Sequence, residues 1–149
     1  MKPAPRVTFD TSVFISYKPA SFPAGFVFSA VVIQELMAAA SDSSELDRWA
    51  AAQQAYKDER RLIIPTSADW LMAGKVLCWL MWRRKKGAGG KSPPLKVGAS
   101  QRMALDALLA VSAERTKTAV VTINHSDFAA IQYYCPGLKV VKASDHFGR

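Results

Sequence analysis

Short apolar runs with strand character alternate with longer stretches of helical periodicity, and this alternation constrains the fold more than any other feature. Val7-Thr8-Phe9-Asp10 reads as a buried first strand that passes directly into a short helix over residues 11–17. Pro19, Pro23 and Gly25 punctuate a loop, and Phe26-Val27-Phe28 reads as a brief second strand. Ser29 is placed to cap a helix through about residue 39. Asp42-Ser43-Ser44-Glu45 has the form of a capping box for the next helix, whose stripe carries Leu46, Trp49, Gln53 and Tyr56. Leu62-Ile63-Ile64-Pro65 is a short extended link, and Thr66 opens a strongly apolar helix that runs out into Arg83-Arg84-Lys85-Lys86. Ser100 starts a helix through about residue 115, and Thr118-Ala119-Val120-Val121-Thr122 is a clear strand. A short helix near 126–133, a last strand Leu138-Lys139-Val140-Val141 and a polar tail complete the chain. Short strands separated by helices imply an α/β fold with a parallel sheet and helices on both faces.

The chain has 149 residues, enough for a single domain spanning 1–149 with a proper core, and no internal repeat is visible. The one low-complexity stretch predicts a flexible basic loop at about 86–99, containing Lys91 and Lys96. With 20 Lys and Arg against 12 Asp and Glu, the net charge is +8, which suits a polyanionic partner, nucleic acid being the commonest. Cys78 and Cys135 lack metal-like spacing and sit among bulky residues, as expected of buried thiols in a reducing cytosol. The N-terminus lacks the apolar run of a signal peptide, and the longest apolar stretch, residues 70–82, is too short to span a bilayer. These features predict a cytoplasmic protein with no membrane association.

Sorting the 12 acids by neighbourhood isolates four. Asp42, Glu45, Asp47, Asp58, Glu59, Glu114 and Asp145 lie in polar segments, and Asp69 falls in the first turn of a helix, where it complements the dipole. Asp10 ends a strand, at the sheet edge where open α/β folds place their sites. Glu35 follows Val31-Val32-Ile33-Gln34, Asp106 lies inside Met103-Ala104-Leu105-Asp106-Ala107-Leu108-Leu109, and Asp127 follows the strand ending at Thr122 by a short turn. Charged residues are seldom buried without a partner. Were these four to converge, each close pair would repel by about 4 kcal/mol at 4 Å and an effective dielectric near 20. A divalent cation relieves that repulsion, and oxygen-only ligands select Mg²⁺ or Mn²⁺. Each acid also has a plainer role open to it. Asp10 could cap the helix at Thr11, Asp106 could pair with Arg102, Glu35 could lie on an exposed edge, and Asp127 could be an N-terminal helix acid.

In order and spacing, these segments resemble the PIN-domain ribonucleases, and most closely the VapC-type toxins of toxin–antitoxin pairs. Phe9-Asp10-Thr11-Ser12-Val13-Phe14-Ile15 is similar to the family's opening D-T-S motif, and the helix over 29–36 to the one carrying its second acid, Glu35. Leu105-Asp106-Ala107-Leu108-Leu109-Ala110 resembles the D-x-x-x-A helix, and Thr122-Ile123-Asn124-His125-Ser126-Asp127-Phe128 the T-x-N-x-x-D-F turn. The resemblance covers nearly the whole chain. It implies a three-layer α/β/α sandwich with a central, mainly parallel sheet, and Mg²⁺- or Mn²⁺-dependent endoribonuclease activity leaving a 5′-phosphate and a 3′-hydroxyl. It implies metal ligation by Asp10 and Asp106, with Glu35 holding metal or orienting the attacking water. Either Asp127 or Asn124 would complete the pocket, and Ser12 and Thr122 would hydrogen-bond the carboxylates. A small antitoxin and a homodimer are the implied partners. The basic segment from Arg83 to Lys96 is longer than a compact member needs, which suggests a substrate-specific insertion. Arg83, Arg84, Lys85, Lys86, Lys91 and Lys96 are its candidate RNA contacts.

Competing signals are weaker. Gly89-Gly90-Lys91-Ser92 mimics the end of a phosphate loop, but Lys85 stands where the pattern needs Gly and no strand precedes it. Ser12 stands where aspartate-nucleophile phosphatases have their second Asp. His125 and His146 belong to no triad and read as surface residues. Trp70, Trp79 and Trp82 could line a groove for an antitoxin peptide, although core packing accounts for Trp70 and Trp79. The principal alternative to a nuclease is a PIN-like RNA-binding module without catalysis that uses the basic segment.

Overall fold

The computed structural model describes residues 5–91, 95 and 98–148. Ser92, Pro93, Pro94, Lys96 and Val97, which belong to the expected basic loop, lie outside the described residues. The strands are β1 (Val7–Phe9), β2 (Phe28–Ser29), β3 (Leu62–Ile63), β4 (Ala119–Thr122) and β5 (Val140–Lys142). The helices are α1 (Thr11–Ser16), α2 (Ala30–Ala38), α3 (Ser43–Asp58), α4 (Ser67–Gly87), α5 (Ala99–Arg115), α6 (His125–Gln132) and α7 (Ala143–Phe147).

The strands form two parallel ladders, β1-β4-β5 and β2-β3. The Val27 N–H donates to the Val7 carbonyl at 2.8 Å and links the ladders, giving the order β3-β2-β1-β4-β5. The chain leaves β1 toward β2 on one side and β4 toward β5 on the other. The carboxyl ends of β1 and β4 therefore flank the point where the strand order reverses, the position at which open α/β sheets bind their ligands. β4 is buried at every position, as a central strand covered on both faces must be. Phe9 is fully buried beneath an aromatic cluster, stacked on Phe22 at 5.1 Å and Phe147 at 5.6 Å. That packing fixes the exit of β1 and hence the start of α1.

The structure corrects several expectations. The polar tail contains α7, whose Phe147 stacks on Tyr17 at 4.3 Å, so the end of the chain closes over the first strand. His146 is half-buried against Phe9 rather than free on the surface. Arg83, Arg84, Lys85 and Lys86 are helical and end α4, where cations complement the helix dipole, so the basic segment that opens at Arg83 begins as helix and the connection to α5 follows Gly87. Trp70 is 63% exposed rather than in the core, because it lies to one side of the buried stripe of α4 formed by Ala73, Val76 and Leu80. Cys78 is exposed on the same helix, whereas Cys135 is buried and its thiol is pushed up to about 11 by burial, then by the charge of Glu114. Among the described residues no helix is long and apolar enough to cross a membrane.

Asp69 is buried, not simply a dipole-facing acid. It accepts from the Thr66 N–H at 2.9 Å while the Thr66 hydroxyl accepts from its own N–H, a complete capping box at the start of α4. Its two oxygens also take the Arg115 Nε–H at 3.0 and 2.9 Å, pinning the end of α5 to the start of α4.

Candidate active site

Asp10 stands in extended conformation between β1 and α1, and its N–H continues the β1–β4 ladder by donating to the Val121 carbonyl at 3.2 Å. It occupies the cap position of α1 without a side-chain cap hydrogen bond of good geometry. Its oxygens turn toward β4 instead. Oδ1 accepts from the Ser12 hydroxyl at 2.6 Å and Oδ2 from the Thr122 hydroxyl at 2.7 Å. Thr122 Oγ1 in turn accepts from the Asn124 N–H at 2.9 Å, and Ser12 Oγ from the Ile123 N–H at 3.4 Å. Asp10 is 4% exposed, so both of its oxygens are held by neighbours rather than water.

Glu35 projects from α2, half-buried, and accepts from the Thr11 hydroxyl at 2.9 Å. Asp106 comes from α5, and Asp127 lies exposed in the first turn of α6. These four acids and Asn124 line one cavity of about 1210 Å³. Asp106 does not take Arg102 as an ion-pair partner; the ion pairs among the described residues join Arg61 to Glu59 and Arg115 to Asp69.

The acids sense one another. Burial raises the Asp10 carboxyl above its ordinary range, against the hydrogen bonds of Ser12 and Thr122 and the nearby N–H groups of Val13 and Ser12, which favour its charge. Burial also raises Glu35, opposed by the Thr11 hydroxyl and helped by the charge of Asp10. Asp106 is displaced furthest, to about 7, by burial first and then by the charges of Asp10, Glu35 and Asp127, with Arg102 pulling the other way. Three acids shifted upward in one cleft, each partly by its neighbours or by burial, are a physical signature of a functional site.

All-oxygen donors with this excess of negative charge suit a hard divalent cation. Among the described residues, no group of three or more Asp, Glu, His or Cys side chains is arranged to hold a metal ion. The fit is therefore one of charge and donor chemistry, with the carboxylates standing on separate walls of the cleft.

No family model matches the sequence, and no curated protein matches it. Among solved structures, a chain of the DNA-bound VapBC complex from Salmonella typhimurium aligns over 93% of this chain and 98% of that one, with a TM-score of 0.56 and 17% identity. The two chains share a fold. It is the PIN-like α/β/α arrangement that the sequence motifs anticipate.

The basic candidates divide. Arg83 and Arg84 line the cavity; Lys85, Lys86 and Lys91 are exposed and do not. Sequence reasoning missed Thr11, Arg102 and Tyr133 as cavity residues. Thr11 had a readable signal, since it sits inside the D-T-S segment one residue from Asp10. Tyr133 had none, because only the packing of α6 against α4 brings it to the rim.

Proposed function

We infer that the protein is an endoribonuclease that hydrolyses RNA phosphodiester bonds with the help of Mg²⁺ or Mn²⁺. The observation that carries this reading is the lining of one cavity, at the reversal point of the sheet, by Asp10, Glu35, Asp106 and Asp127. Asp10 and Asp106 would hold the ion, with Asp127 or Asn124 completing its shell. A bound divalent ion would supply a nucleophilic hydroxide near neutral pH and offset negative charge on the phosphodiester.

The chain's own residues set up that chemistry. Ser12 and Thr122 orient Asp10 by donating to one of its oxygens each. Thr11 fixes Glu35 from the first turn of α1. Glu35, with its raised affinity for protons, is suited to accept one from water attacking the phosphorus. The arginines on the cavity wall supply the positive charge that a phosphate backbone needs on approach.

The likeness to a chain of a VapBC complex supports a toxin held in check by a small antitoxin protein, and a dimer of this chain is part of the same proposal. Purified protein with Mn²⁺ or Mg²⁺ should cut RNA, with EDTA or Asp10→Asn abolishing cleavage. If the wild type and Asp10→Asn leave every RNA equally intact while both bind it, the non-catalytic RNA-binding module replaces this reading. Co-purification with the product of a short neighbouring reading frame tests the antitoxin.

A further inference from the structure

One wall of the cavity carries two arginines beside an exposed ring that has no part in the hydrolytic chemistry. Arg83 and Arg84 lie near the end of α4, and both line the cavity. Arg84 is half-buried, and its Nε–H is buried with no acceptor among the described residues. A guanidinium donor withdrawn from water and left unpaired is an open demand for an anion, and the planar fork suits phosphate. Arg83 sets its guanidinium 4.9 Å from the centre of the Tyr133 ring.

Tyr133 follows α6, lines the same cavity and is 70% exposed. Its ring meets that of Tyr134 edge-on at 5.0 Å. Tyr134 packs at 5.5 Å against Trp79 of α4, and its hydroxyl donates to the Trp79 carbonyl at 3.4 Å. The exposed ring is therefore braced through a second aromatic residue, and the arginines that flank it share the same helix as the brace. Exposed tyrosine is costly to hold in one orientation without some use for its face.

We propose that Tyr133, Arg83 and Arg84 form a nucleotide subsite beside the carboxylates, in which an unpaired base stacks on Tyr133 and the adjoining phosphate is held by Arg84. This rests on the nuclease reading and deepens it by naming residues of this chain that would take the nucleotide beside the cleaved bond. A base inside a duplex is already stacked on both sides and does not reach such a ring, whereas splayed bases stack on aromatic and guanidinium planes. Arg83 orients the ring and adds charge without competing for the phosphate that Arg84 takes.

The test uses the full chain carrying Asp10→Asn, in EDTA, with a short labelled single-stranded RNA and the same sequence as a blunt duplex. The single strand should bind more tightly than the duplex. Adding Tyr133→Ala should weaken single-strand binding about tenfold, Tyr133→Leu should weaken it similarly, and Tyr133→Phe should preserve it. Arg84→Ala should flatten the dependence of binding on salt by about one phosphate contact. Equal binding of duplex and single strand, absence of binding by the parent protein, or equal binding by the Ala, Leu and Phe variants overturns the subsite. Failure of the wild type to cut RNA with Mn²⁺ removes the nuclease reading alone, because the binding comparison is made without metal.

Discussion

Thr122 donates a 2.7 Å hydrogen bond to Asp10 across 112 residues of sequence, joining the carboxyl end of β4 to that of β1. Thr122 is fully buried, so the hydroxyl has no other role than to serve this carboxylate and accept from the Asn124 N–H. Thr122→Val keeps the shape and deletes both bonds. The cost should be about 1–3 kcal/mol, read from the urea midpoint, with Thr122→Ser close to wild type. Because the lost bond favoured the charged form, Asp10 should hold its proton to higher pH in the variant. The destabilisation should therefore be larger at pH 8 than at pH 4, and a cost independent of pH would count against the bond's electrostatic role.

Asp106 gives the clearest pH dependence. Its carboxyl titrates near 7 in the folded chain, against 3.8 for the ordinary value. Between those values the folded state binds a proton that the unfolded state does not, so the stability this carboxyl contributes is fully present below about 3.8 and is lost as pH rises through about 7. Asp106→Asn mimics the protonated acid. In EDTA it should stabilise the protein by about 1–3 kcal/mol at pH 8 and by little at pH 4. Mn²⁺ should raise the melting temperature of the wild type at pH 8, less so at pH 5.5, and should do little for the variant. A variant less stable than wild type at pH 8 without metal would show that the carboxylates do not repel as placed.

Thr11→Val separates orientation of Glu35 from its charge. The bond it removes is worth roughly 0.5–1.5 kcal/mol, so cleavage should fall about two- to tenfold on the acid side of the pH profile. Losing that donor raises the Glu35 carboxyl further, so activity should recover toward the alkaline side. An equal loss across the whole range would mean that Thr11 contributes through position alone.

What the sequence disclosed and what it withheld follow from the range of the interactions. Asp10 was legible because a strand that ends in an acid before a helical run leaves few places for the carboxylate. Helix α2 was legible because Ser29 accepts from the Val31 N–H and starts it locally. The proximity of Asp106 to Asp10 came from the order of family-like segments, since no local rule brings residues on α5 and β1 together. Tyr133, Trp70 and α7 were illegible for the converse reason. Whether a ring faces core, cleft or water depends on which neighbour covers it, and Phe147 marks a helix only because Phe9 and Tyr17 offer it rings to stack on.

Asp69 supplies a prediction about the frame rather than the chemistry. It is 3% exposed and caps α4 while its oxygens hold Arg115 at the end of α5, and Arg115 also donates to the Ile64 carbonyl at 3.3 Å. Helix α5 carries Asp106 and α4 carries Arg83 and Arg84, so this junction sets the spacing of two cavity walls. Asp69→Ala deletes a cap bond and a charge-assisted pair and should cost about 2–4 kcal/mol. Asp69→Asn keeps an acceptor for the Thr66 N–H and should cost less. Arg115 is 42% exposed on its side chain, so once freed it returns to water, whereas Arg115→Ala strands a buried carboxylate that only the cap still serves. Arg115→Ala should therefore destabilise more than Arg115→Lys, which keeps a positive charge beside Asp69. Equal losses of stability in Arg115→Ala and Arg115→Lys, read from the urea midpoint, would mean that the guanidinium acts by its shape and packing on α4 and not by its charge.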